Sequence, residues 1–337
     1  MKCVLCRTGY DPFIDFLKGI CIILIILTHC VPFEIRLVIG FPIWGSPAVP
    51  IFLIIQVFHF YKNKKVLPVQ NYYYKIWCRV FRPFIFVESI ILLLWVYNYY
   101  RNNALTPPSF MTLFYILSGG PGTYYPWIYL QFAILLPICR SLFNHSNIYS
   151  LIIFLLLSQF AEILCSISAM PEWLYRLTFF RYFFLLYLGY LLANKGYIFK
   201  GKTMMLSIIS IASVFFFAYI SVDTTPLFYN VEAWASCHWI CYIYISFLMI
   251  VGLNRLHSCI HDYSFSTLIR LIGKYSYEIF LLQLFYFTCI SDYVNCFIED
   301  KYFVIPVLSV LFCIIPVLVY KEWKRITSYF HLKILKG

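Results

Sequence analysis

Charge is scarce in this sequence, and acid is scarcer than base. Of 337 residues, 14 are aspartate or glutamate and 26 are lysine or arginine, so 12% are charged; a soluble domain has about a quarter. A surface that poor in charge does not hold so apolar a chain in water, which excludes an ordinary soluble enzyme. Polar and low-complexity tracts are missing, internal repeats are missing, and no segment between hydrophobic runs is long enough to form a separate soluble domain. Histidine is sparse, at 7 residues, and no second one has ligand spacing to His29, so no metal site is expected. The 13 cysteines do not make a disulfide framework: the number is odd, and Cys21, Cys30, Cys165, Cys241, Cys289 and Cys313 lie in apolar runs. Cys3 and Cys6 form a CxxC without a second pair or a neighbouring histidine, so these thiols read as structural and unpaired.

What the sequence does hold is apolar length. Hydrophobic residues make up 62% of the chain, in continuous runs of helix-spanning length. Alternating segments of barrel type are not seen, so the expected fold is all-α and polytopic. Ten transmembrane helices are predicted, near 13–31, 43–61, 83–100, 125–143, 148–167, 177–194, 204–221, 235–254, 268–290 and 303–320. The segment 106–124 is too broken by proline and glycine to span, and reads as an outer loop. The first run is too long for a cleavable signal and no small-residue site follows it, so it is expected to be retained. Basic residues collect in alternate loops, at Lys62–Arg82, Lys195–Lys202 and Arg255–Lys274 and in the tail from Lys321, while the facing loops carry Glu34, Glu172, Asp223, Glu232, Asp292, Glu299 and Asp300. This asymmetry puts both termini in the cytoplasm. The net charge of +12 therefore reads as membrane orientation and not as a nucleic-acid surface. A single membrane domain over 1–337 is expected, with a core at 10–320 and a short basic tail at 321–337.

Few polar groups interrupt the spans. In the first helix, Asp15, Lys18 and His29 fall on one stripe. Eleven residues separate Lys18 from His29, about three turns and roughly 16 Å along the axis. Ionisable groups inside a membrane usually face a bundle interior or a water-filled cavity. A histidine there can be neutral near pH 7 and accept a proton from a hydroxyl, which suits acyl transfer to an alcohol. Arg79 and Arg82 immediately precede the third run. They read as orientation anchors or as a fork for donor phosphates. Tyr124, Trp127 and Gln131 follow the glycine-rich stretch at 119–122, where aromatics serve as an interface belt or as faces for sugar rings. Arg181 begins an apolar run, and either snorkels outward or lines a cavity. Ser276, Glu278 and Gln283 are polar within the ninth run, where helix–helix hydrogen bonding is the ordinary role.

Together these segments resemble the membrane-bound acyltransferase family 3, which includes bacterial polysaccharide O-acetyltransferases. The first-helix signature is present as Asp15, Lys18, Gly19 and His29, with lysine in place of the family's arginine. Arg79-x-x-Arg82-Pro83 resembles the basic motif before the third helix. Gly120-Pro121-Gly122 with Trp127, Arg181 with Gly189, and Gly273-Lys274-Tyr275-Ser276-Tyr277-Glu278-Ile279 resemble three further motifs. The resemblance covers roughly residues 10–320. Gln283 stands where many members have histidine, and it cannot act as a base. The resemblance implies an enzyme of the bacterial inner membrane, moving an acyl group, most simply acetyl, from acetyl-CoA to a sugar hydroxyl of an envelope polysaccharide or its lipid-linked precursor. It assigns His29, Lys18 and Asp15 to catalysis, and Arg79, Arg82 and Lys18 to the donor. Trp127, Tyr124, Gln131, Arg181, Ser276 and Gln283 fall to the acceptor. It implies the glycan acceptor and other components of a polysaccharide system as partners. The reading from a different class is a flippase for polyprenyl-linked glycans, which would favour inverted repeats and paired broken helices; neither is seen.

Overall fold

The computed structural model describes residues 11–62, 68–102, 121–140, 143, 147–168, 170, 174–175, 177–196, 203–222, 238–298 and 300–334. The CxxC at Cys3 and Cys6, Gly119 and Gly120, and loop charges such as Lys64, Lys200, Glu172 and Asp223 lie outside them. Among the described residues the regular structure is helical, with no strand. In chain order the elements are α1 (Pro12–Cys30), α2 (Phe33–Val38), α3 (Phe41–Trp44), α4 (Ala48–Lys62), α5 (Val69–Ile76), a π turn (Trp77–Phe81), α6 (Arg82–Asn102), α7 (Tyr124–Cys139) and α8 (Asn147–Ile167). A 3₁₀ turn (Phe179–Tyr182) leads to α9 (Leu185–Lys195), α10 (Thr203–Val222), α11 (His238–Ile260), α12 (Ser264–Lys274), α13 (Ser276–Cys289), α14 (Ser291–Phe297) and α15 (Val304–Ile334).

Four helical stretches are long and apolar enough to cross a bilayer: Pro12–Cys30, Val69–Arg101, Tyr242–Ile260 and Val304–Arg325. The pair α13–α14, bent by 60°, makes up to a fifth. Shorter apolar helices such as α4 and α7 occupy other predicted runs. At 15 residues, α4 reaches about 22 Å, less than the roughly 30 Å hydrocarbon core.

Two predicted helices break. The run 43–61 is interrupted before Ala48, so α3 and α4 are separate. Pro50 is tolerated because it falls in the first turn of α4, where backbone N–H groups have no helical partner. The run 268–290 breaks at Tyr275, which caps α12 with its N–H on Ile272 and Gly273 carbonyls. The reason is patterning. Ser266, Ile269, Ile272 and Gly273 are the buried face of α12, while Arg270 and Lys274 lie off it, so α12 is amphipathic and not apolar all round.

The chain forms two compact units, one of residues up to Ile39 and from Arg255 on, the other of Gly40–Asn254. In the first, α1 packs against α12, α13 and α15. Its closest approach is at two glycines. A Cβ on Gly273 would overlap the Asp15 carbonyl and lie 2.7 Å from the Gly19 nitrogen, and one on Gly19 would overlap the Ile269 carbonyl. Only hydrogen in place of a side chain permits this crossing. In the second unit, α4 packs against α9 and α7. Gly189 lets α9 close on Val57, and an added Cβ would sit 3.0 Å from the Ile54 carbonyl. Side chains then tie helices to neighbouring backbones: Gln56 Nε2 donates to the Tyr129 carbonyl at 2.9 Å, Tyr61 OH to Leu136 at 3.1 Å and Tyr190 OH to Phe143 at 2.8 Å.

Candidate active site

In the first unit, the candidate base sits at the end of an unbroken helix. Asp11 caps α1 by accepting the Phe13 N–H at 3.1 Å, and Pro12 occupies its first turn. Continuity keeps the stripe predicted from spacing. Lys18 Nζ lies 3.4 Å from Asp15 Oδ1, so the lysine charge already has a counter-ion. His29 is half-buried in the last turn, tilted against the Phe287 ring at 5.4 Å. None of the described residues hydrogen-bonds its imidazole, so no carboxylate orients it as in a Ser-His-Asp arrangement. Between Lys18 and His29 the stripe is not open. Ile22 and Ile26 on that face are wholly buried.

The late motif falls on α12 and α13 beside this helix. Gly273 serves the crossing with α1. Ser276 opens α13 and is buried. Gln283 is 0% exposed, and neither its amide oxygen nor its nitrogen has a hydrogen-bond partner. An amide enclosed and unsatisfied in this way is costly and rare in a structural role. Glu278 is explained differently: Lys321 of α15 donates to its Oε1 at 2.5 Å. The cation of the tail thereby neutralises the acid of the motif.

The donor and acceptor candidates lie in the second unit. Arg79 lies within the π turn and Arg82 directly follows it, with the Arg82 N–H bonded to the Trp77 carbonyl. The widened turn separates the two guanidinium groups by more than the roughly 60° that residues three apart have in an α-helix. Arg79 acts electrostatically on Tyr129 of α7. Arg82 is exposed and lines a shallow groove of about 640 Å³ with Cys78, Pro83, Ile85, Phe86 and Ser89. Its guanidinium is open to solvent there, and a guanidinium fork matches the oxygens of a phosphate.

Trp127 of α7 packs edge-on against Phe81 and Phe84, each at 5.9 Å, and 37% of it remains exposed. Tyr124 begins the same helix, after Gly122, whose φ of +89° suits only glycine. Gln131 is not open to a ligand. Its Nε2 donates to the Leu177 carbonyl at 2.6 Å and to Trp127 at 3.2 Å, and its Oε1 accepts the Phe179 N–H at 2.9 Å. The amide thus clamps the start of the turn that carries Arg181. Arg181 is buried, between the rings of Tyr175 at 5.5 Å and Tyr182 at 5.6 Å. It packs inside the protein and does not snorkel outward.

Three polar groups escaped the sequence reading. Glu88 in α6 is 5% exposed with both oxygens unpartnered; an acid within an apolar run is the signal that marks it. His257, in the last turn of α11, is buried against Phe13 and Phe16 at 5.7 and 5.0 Å, and its Nε2 has no partner. Arg36, on α2, acts electrostatically on both His29 and Cys30.

One comparison with known proteins covers nearly the whole of this architecture. A family model described as an acyltransferase domain, acyltransferase family 3, matches residues 11–321. The chain belongs to that family. As a member of acyltransferase family 3 it is a helical membrane protein whose activity is acyl transfer. No curated protein matches the chain, and no solved structure does.

Proposed function

We propose that this acyltransferase is an O-acetyltransferase, carrying acetyl from acetyl-CoA to a hydroxyl of an envelope or exported polysaccharide, or of its lipid-linked precursor. The observation that carries the reading is His29, a half-buried imidazole with no hydrogen-bond partner among the described residues, at the end of the helix bearing the family's signature. Its ring accepts the hydroxyl proton as the sugar oxygen bonds to the thioester carbonyl carbon. The carbon–sulfur bond then breaks, and the imidazolium returns the proton to the departing thiolate. Arg79 and Arg82 are the donor's phosphate ligands, with Arg82 on the open groove. Lys18, held by Asp15, adds positive potential at the far end of the stripe. Trp127 and Tyr124 offer aromatic faces to the sugar, and Ser276, Gln283 and Arg181 offer hydrogen-bonding groups. In this reading ten helices cross a bacterial inner membrane with both ends cytoplasmic, beside other components of polysaccharide synthesis.

The test uses purified protein in proteoliposomes with radiolabelled acetyl-CoA and envelope glycans. Label passes to glycan in the wild type. In His29→Ala transfer falls by about a hundredfold or more, while membrane insertion is unchanged. Wild-type acetylation in the variant sinks the role given to His29.

A further inference from the structure

A cation without a counter-ion stands beside the candidate base. After α1 ends at Cys30, the chain turns through Val31 and Pro32 into α2, which has no buried residue. Arg36 lies on α2 with its guanidinium carbon 5.6 Å from the centre of the Phe33 ring. Its Nε is enclosed and has no hydrogen-bond partner, while the side chain as a whole is half-buried. The short turn at Val31 and Pro32 keeps it at the His29 end of α1, seven positions along the chain from that ring.

The other cations of this unit that lie near acids are matched by them. Lys18 pairs with Asp15, Lys321 with Glu278 and Arg325 with Glu322. Among the described residues no carboxylate pairs with Arg36, and Glu34, two positions before it, does not reach it. Capping of α1 does not explain it either. A cation that serves a helix C-terminus donates to the last carbonyls, and Arg36 donates to none. What remains is a planar donor fork held against an aromatic ring, partly desolvated and unpaired. Such a fork is matched by carboxylate or phosphate oxygens, two at a time.

The geometry points to Arg36 as the anion-reading group of an acceptor subsite beside His29, so that the acceptor is an acidic glycan, carrying a uronate carboxylate or a phosphate near the reacting hydroxyl. This rests on His29 as the transfer base for its place in the reaction, but not for the binding itself. A neutral glycan would leave the guanidinium unmatched, and selectivity follows from that difference.

The test is equilibrium binding, without donor, to the full chain in phosphatidylcholine nanodiscs. The probes are tetragalacturonate and its fully methyl-esterified form, which differ in charge and not in sugar. The wild type is expected to bind the anionic form at least about tenfold more tightly. Arg36→Ala removes the preference, and Arg36→Lys keeps part of it, because ammonium retains charge but not the fork. Acetyl-CoA binding stays unchanged in both variants and reports that they are folded. Equal binding of the two probes by wild type, or a preference that survives Arg36→Ala, overturns the proposal. So does Arg36-dependent binding of phosphatidylglycerol vesicles without discrimination between the glycans, which would make the ligand a lipid headgroup. If acetyl transfer fails while the preference holds, the enzymatic reading falls and the subsite stands.

Discussion

The two compact units spend their polar groups in opposite ways. In the unit of Gly40–Asn254, polar side chains are mostly tied to backbone. Gln56, Tyr61 and Tyr190 each donate to a carbonyl of a neighbouring segment, and Gln131 donates to the Trp127 and Leu177 carbonyls and accepts the Phe179 N–H. In the unit built around α1, the helices meet through bare backbone at Gly19 and Gly273 and through the Glu278–Lys321 pair. There Gln283, His29 and Arg36 are left without hydrogen bonds. Cohesion supplied by glycine costs no polar side chain, so polar side chains stay open for a ligand. The contrast is one of degree: among the described residues of the other unit, both oxygens of Glu88 and the Oε1 of Gln56 also lie enclosed without a hydrogen bond.

The comparison breaks first at the glycines. Gly273→Ala puts a methyl group into the Asp15 carbonyl, and backbone cannot retreat as a side-chain tip would. A loss of about 3 kcal/mol is expected, read as a fall in the unfolding midpoint in detergent. An unchanged midpoint means that α1 and α12 are not held by this contact. Gly40→Ala serves as the contrasting variant: nothing lies near its added Cβ, but its φ of +63° makes it a test of backbone conformation alone.

A matched pair of glutamine substitutions sharpens the comparison. Gln131→Leu strips partners from the Leu177 carbonyl and the Phe179 N–H, and is expected to destabilise by about 1–3 kcal/mol. Gln283→Leu removes an amide that has no partner to lose, and is expected to leave stability unchanged or raise it. If Gln283 meets the acceptor, acetyl transfer falls in that variant although the protein is no less stable. Destabilisation of similar size in both variants erases the distinction between bonded and open amides.

Much of this was legible in the sequence, for physical reasons. Helix positions follow from apolar length, and the shared face of Asp15, Lys18 and His29 follows from 3.6 residues per turn. The break at Tyr275 is not legible there, because an amphipathic helix followed by an apolar one gives one long hydrophobic run. The roles of Gln131 and Arg36 are hidden for another reason. A clamp on Leu177 and Phe179 depends on contacts 46 and 48 positions away. Arg36 is one loop charge among many until the turn at Val31 and Pro32 brings its charge to bear on His29. Spacing predicts faces of one helix well, and says little about which neighbour fills them.

The smallest expected effect tests whether open polar groups extend to the rim of the α1 unit. Asp300 precedes α15, and its Oδ1 accepts the N–H groups of Tyr302 and Phe303, each at 2.9 Å. These donors hold its carboxyl below the usual range. A depressed acid contributes stability at pH values above its unfolded pKa, about 3.9, and that contribution is lost as pH falls through the lower folded value. The wild type should therefore melt slightly above Asp300→Ala at pH 6, and the gap should close in the strongly acidic range. Its full exposure keeps the effect small, since water competes for the same carboxylate. A gap that persists in acid would mean that the loop is held by packing and not by the charge. A gap that closes shows that the Asp300 carboxylate is bound to backbone, in contrast to Gln283 and His257, whose enclosed polar atoms have no partner.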